Sequence, residues 1–213
     1  MSEILDIFNE KMELIGTAPR DVVHKEGYWH QTFHCWILTS HDNCNYLLVQ
    51  KRAEFKKNAP NKLDISAAGH LLSGETKEDG IREVQEELGI YVDFDKMVDL
   101  GLRISASGIP GTKCNREFCH VVLLEDNTPL LDHNLQESEV SALVEIPIQE
   151  GLKLFAGEVE SVKANAMCVE NGKKVLKVTS VSQSDFITRI DPYYLKIFIM
   201  ADLYFKGSKY LAI

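Results

Sequence analysis

Residues 69–90, GHLLSGETKEDGIREVQEELGI, constrain this chain more than any other stretch. Read as a helix, Glu83, Glu86 and Glu87 are three and four apart and share one face. Ile81, Val84 and Leu88 fall on roughly the opposite face and can dock on a sheet. Like charges on one stripe repel by a few tenths of a kcal/mol per pair when exposed. A divalent cation converts that cost into a binding site, since carboxylates suit Mg2+ and Mn2+. A bare acidic stripe is usually a solvated face, so its surroundings decide the reading. Gly69 and Gly74 permit a tight loop into the helix, and a backbone carbonyl such as that of Gly69 can add a ligand. Glu75 lies in the same loop. Arg82 sits beside Glu83 and within a turn of Glu86, where it can hold a carboxylate.

The chain has 213 residues, long enough for one domain with a real core, and 45% of them are apolar. Its net charge of -9 argues against a nucleic-acid polymer as partner, which demands a basic footprint. A small phosphorylated substrate stays compatible, because a metal ion supplies positive charge locally. No apolar run reaches the length of a membrane span, and the start, MSEILDIFNEKMELIG, does not read as a signal peptide. Five scattered cysteines without a CxxC pair argue against disulfides and a zinc knuckle, so a reducing cytoplasm is expected.

Strands are expected over 4–8, 13–17, 29–39, 46–52, 90–94, 98–106, 117–124 and 142–146. A helix is expected from about Lys77 to Leu88, stopped by Gly89, and residues 108–115 read as a loop. Beyond residue 150 the chain reads as an addition. Strands over 161–169 and 173–180 flank Asn171-Gly172, a strong hairpin signal. Asp191 and Pro192 then read as N-cap and first residue of a helix through Phe205. This order suggests a mixed α/β or α+β sandwich.

The acidic segment resembles the Nudix box: G, five residues, E, seven residues, then R-E-apolar-any-E-E-any-G-apolar. Gly69 and Glu75 match, and Arg82-Glu83-Val84-Gln85-Glu86-Glu87-Leu88-Gly89-Ile90 matches throughout. Six residues, not seven, separate Glu75 from Arg82, which puts the loop and the role of Glu75 in question. The resemblance implies a Nudix α/β/α sandwich with a mixed sheet, carrying a C-terminal hairpin and helix over 151–213, in one domain spanning 1–213. It also implies Mg2+ or Mn2+ at Glu83, Glu86, Glu87 and the Gly69 carbonyl, with Arg82 orienting the carboxylates.

From Gly16 to Leu124 the chain is also similar to the Nudix branch of type I isopentenyl-diphosphate isomerases. His24, His30, Lys51-Arg52-Ala53, Gly69-His70 and Glu117 carry this likeness. In that branch three histidines and two glutamates bind a metal, which implies a second metal group of His24, His30, His70 and Glu117. Asn115 stands at the fifth place. The isomerase cysteine two residues before the histidine is here Ala68, which cannot exchange a proton with an alkene. The acidic triplet, degraded in those isomerases, is complete.

The expected reaction is therefore hydrolysis of a phosphoanhydride in a nucleoside-diphosphate-linked or related small diphosphate. Glu83 or Glu117 would accept the proton from water, and Lys51 and Arg52 would contact phosphate. The blander readings stand beside these: His30 and His34 as hydrogen-bonded core, Lys51 and Arg52 as a solvated strand edge, Cys35 and Cys119 as small buried apolar residues. His120 and His133 read as structural. Trp29 and Trp36, an odd number apart, face opposite sides. An isomerase-type enzyme on a prenyl diphosphate and a non-catalytic ligand-sensing module are the alternatives, with a homodimer as a candidate assembly.

Overall fold

A β-branched and aromatic run builds the spine of the sheet, strand β3 (Trp29–His41). The computed structural model describes residues 3–109, 113–170 and 172–213. Along β3 the side chains alternate. Trp36 and Leu38 enter one core, and Phe33, Cys35 and Ile37 enter another. A strand buried on both faces needs cover on both. Helix α2 (Ile81–Leu88) covers one face; α3 (Ile148–Phe155) and α4 (Tyr193–Phe205) cover the other. The result is the expected α/β/α sandwich.

Strands β1 (Ile4–Phe8), β2 (Leu14–Pro19), β4 (Cys44–Arg52), β9 (Val140–Pro147), β10 (Ser161–Glu170) and β11 (Lys173–Ser182) join β3 in the order β11-β10-β9-β4-β3-β1-β2. The short β5 (Leu63–Asp64) pairs with β4, and β6 (Ala67–His70) pairs with β3. Strand β8 (Lys113–Glu125) runs parallel to β3, and β7 (Val98–Ile109) lies antiparallel on β8, so the sheet is mixed. Asp42 and Asn43, both in the left-handed region, make the β3–β4 turn. The 151–213 segment shares the core: Tyr193, Ile197 and Phe198 pack with Trp36 and Leu38. Trp36 Nε1 donates to the Tyr193 hydroxyl at 2.9 Å. No described helix is long and apolar enough to cross a membrane.

Several local expectations are corrected. Helix α2 begins at Ile81, not near Lys77, because the Thr76 N–H and hydroxyl both donate to Asp79 Oδ2, at 2.8 and 2.9 Å, and hold a turn there. Residues 90–94 form no strand; Ile90, Val92 and Phe94 pack irregularly beneath the α2 core. Asp191 does not cap α4, since its carboxylate is taken by Arg103, whose Nε donates at 3.0 Å. Two helices escaped the sequence reading: α1 (Arg20–Glu26), ended by left-handed Gly27, and α3. Gly151 disguises α3, yet it is required: a Cβ there would lie 2.1 Å from Phe198 Cε1. The expected 108–115 loop is in fact the end of β7 and the start of β8, apart from residues 110–112, which lie outside the described residues along with Asn171.

Candidate active site

Strand register assembles the first group. Parallel β3 and β8 set His30 beside Glu117, and antiparallel β6 sets His70 beside Thr32. Helix α1 adds His24. One ligand atom from each of His24, His30 and His70 lies within 4.8 Å of the others. His30 Nδ1 is 3.0 Å from the Tyr28 carbonyl. A carbonyl only accepts, so Nδ1 carries the hydrogen and Nε2 presents a lone pair to the group. His30 Nε2 and His70 Nε2 are buried and have no hydrogen-bond partner among the described residues. Burial lowers the His30 pKa to about 4, and burial with the nearby Arg20 holds His70 well below its ordinary value. Both rings are neutral near pH 7, the form that ligates a metal. Glu117 Oε1 stands 4.0 Å from His30 Nε2 and accepts from Asn115 Nδ2 at 3.2 Å. Burial raises the Glu117 carboxyl.

Helix α2 supplies the second group. A Cβ on Gly69 would fall 2.1 Å from the Glu83 carboxyl carbon, so only glycine lets that carboxylate lie against β6. Arg82 Nη1 reaches Glu83 Oε1 at 2.9 Å and Glu86 Oε2 at 3.2 Å. Its Nε and Nη2 donate to Glu75, whose Oε2 also accepts from the Leu72 N–H at 2.7 Å. Glu75 thus braces the shortened loop and the arginine. Glu87 is buried and accepts from Gln50 Nε2 at 3.0 Å and the Ala68 N–H at 3.1 Å. Burial, with the Glu83 charge behind it, pushes the Glu87 carboxyl up to about 8; burial also raises Glu83.

That shift has a sign. Between the unfolded value of 4.5 and about 8, the metal-free folded state keeps a proton that the unfolded state has lost. Metal-free stability should therefore fall as pH rises from about 6.5 to about 8, above the range in which the buried neutral histidines add the opposite slope, and Mg2+ stabilisation should grow over it. Melting temperatures with and without Mg2+ across the window check both trends. Glu87→Gln should flatten the metal-free slope, and an unchanged slope would rule out Glu87 as its source.

Both groups open onto one cleft of about 760 Å³. Its lining includes His24, His70, Ala68, Gly69, Arg82, Glu83, Glu86, Glu87 and Glu117. Arg52 lines it too; Lys51, its neighbour on β4, does not. No cysteine lines the cleft among the described residues. Cys35 and Cys119 are buried and held as thiols, Cys119 with its pKa pushed up to about 12. His34 bonds the Tyr193 hydroxyl at 3.0 Å and His120 the Gln31 amide oxygen at 2.9 Å, while His133 is buried beyond the cleft. Sequence reasoning missed Lys56, Arg103 and Arg189 in the lining. Nothing in their local sequence marks them; chain topology brings them in.

The NUDIX domain family model matches residues 29–165. The chain belongs to the Nudix family. An uncharacterized Nudix hydrolase of Clostridium acetobutylicum is 38% identical over 193 residues, covering 90% of this chain and 93% of that one. An isopentenyl-diphosphate Delta-isomerase of Aliivibrio fischeri is 30% identical over 143 residues, 66% of this chain and 78% of the isomerase. The crystal structure of a Deinococcus radiodurans protein, DR0079, shares the fold at TM-score 0.52 and 23% identity, over 73% of this chain and 90% of that one. This Nudix protein is a pyrophosphohydrolase of its family, acting on diphosphate-containing substrates, and the family generally uses divalent cations.

Proposed function

We propose that this Nudix hydrolase is Mg2+- or Mn2+-dependent and cleaves the phosphoanhydride of a nucleoside-diphosphate-linked or related small diphosphate. The supporting observation is the complete carboxylate triplet, two of whose members Arg82 holds, opening onto a cleft with no thiol among the described residues. Glu83, Glu86, Glu87 and the Gly69 carbonyl would hold the cation. When bound, the ion neutralises diphosphate charge and lowers the pKa of a coordinated water. Arg82 fixes two of the carboxylates in place. Arg52, which lines the same cleft, would offer its charge to phosphate. Either Glu83 or Glu117 would take a proton from water. The buried histidine nitrogens and Glu117 suit a second divalent cation by donor type. On this reading residues 1–213 act as one unit in the cytoplasm, on small molecules.

That histidine group also favours a second reading, an isomerase-type enzyme on a prenyl diphosphate. It lacks a proton donor at Ala68.

The metal claim has a direct test. Mg2+ or Mn2+ should raise the melting temperature through linkage, which is worth about 2.7 kcal/mol at a hundredfold excess over Kd. Glu86→Gln combined with Glu87→Gln should abolish the triplet's share of the response, leaving at most what the histidine group binds. An undiminished response in the double variant would remove the cation from this helix.

A further inference from the structure

A second groove lies on the α2 face of the sheet. It encloses about 420 Å³, a volume in the range of small-molecule sites, and shares no lining residue with the cleft. Strand register builds its floor. Leu48 on β4 stands opposite Glu145 on β9, Glu145 opposite Asn165 on β10, and Asn165 opposite Val178 on β11. Cross-strand partners point to one face, so these four form a row. Leu48 packs in the same core as Val84 and Leu88 of α2, which fixes that face. Leu176 extends the apolar end of the row, and residues 127–130 with His133 make the wall.

The polar groups in and beside this groove are acceptors in excess. His133 is only 1% exposed and lines the groove, yet neither ring nitrogen has a hydrogen-bond partner among the described residues. The Thr128 backbone lies near the ring without completing such a bond. Burial lowers the His133 pKa, so the ring is neutral near pH 7 and keeps a lone pair. Glu145 is 4% exposed. It accepts from Asn165 Nδ2 at 2.7 Å and lies 3.1 Å from His41 Nε2. His41 also faces Asp42, so a charged imidazole there balances one of two carboxylates. Asp126, whose charge acts on His133, has a buried Oδ2 with no partner among the described residues. Lys177 at the rim is held by Glu170. Buried acceptors without donors are costly, and an apolar surface, Leu176 and Val178, lies exposed beside them. An anion would meet carboxylates here; a cation with an apolar body would complement both features.

We propose that this groove is a binding site for a small organic amine, its ammonium held by Glu145 and His133 and its apolar body resting on Leu130, Leu176 and Val178. The site stands apart from the reaction in the cleft and does not depend on it.

Two probes of one shape and opposite charge test it: tryptamine and indole-3-propionate, titrated into methyl-labelled protein and read by NMR. Tryptamine should move the Leu130, Leu176 and Val178 methyl signals and bind at least about tenfold more tightly than the propionate. Glu145→Gln should weaken tryptamine about tenfold, as expected for a lost charged hydrogen bond, and so remove most of that preference. Val178→Lys, at a position 69% exposed, places a cation in the groove without touching the core and should also weaken tryptamine about tenfold. It decides the matter if Glu145→Gln does not fold. Equal binding of the two probes, or unchanged tryptamine binding in either folded variant, overturns the site. So do shifts confined to Ile104 and Ile187, which line the cleft.

Discussion

Glutamine in place of Glu83 is expected to lower kcat by about 10²–10⁴-fold and to weaken Mg2+ binding as well. Two facts join in this residue. Its carboxylate lies in the space that a Gly69 side chain would fill, and it is held at 2.9 Å by Arg82. Burial raises its pKa, so it is a better proton acceptor than a surface glutamate. The amide keeps the size and the arginine contact through its carbonyl oxygen, but it loses the charge and the basicity. Because part of the loss is metal affinity, excess Mg2+ should restore some turnover. A Mg2+ titration of kcat separates the two components. Full rescue would make Glu83 a ligand only.

Glu117→Gln should behave differently. We expect kcat to fall by a similar factor, about 10²–10⁴-fold, with Mg2+ affinity at the α2 triplet nearly unchanged. Glu117 belongs to another strand and faces His30, not α2. Its carboxyl is raised by burial, and in the variant that acceptor is gone. Steady-state rates over a pH series, paired with Mg2+ melting curves, distinguish the outcomes. Wild-type rates throughout would remove Glu117 from the reaction and leave the base on α2.

The acidic helix was legible in the sequence because its chemistry is local. Helical periodicity sets Glu83, Glu86 and Glu87 on one side and Val84 and Leu88 on the other, and α2 buries Val84 and Leu88. The histidine group was visible through a likeness to a known family, not through spacing alone. Its meeting point depends on α1, a seven-residue helix with a single buried residue, too short and too polar to announce itself. Arg103 and Arg189 were invisible for another reason. Their place in the cleft follows from β7 lying on β8 and from residues 186–191 crossing to β5, long-range pairings that no local pattern encodes. Asp191 shows the same limit. Its position before Pro192 suits an N-cap, and a distant arginine takes its carboxylate instead.

The central claim is that this cleft breaks a phosphoanhydride and does not move a double bond. Phosphorus NMR of the wild-type protein with Mg2+ reads this directly, with nucleoside-diphosphate-linked substrates in one sample and isopentenyl diphosphate in another. The account predicts phosphomonoester resonances growing as the diphosphate signals of the first sample fade, and no dimethylallyl product in the proton spectrum of the second. Intact diphosphate signals in the first sample, with conversion of isopentenyl to dimethylallyl diphosphate in the second, would contradict it.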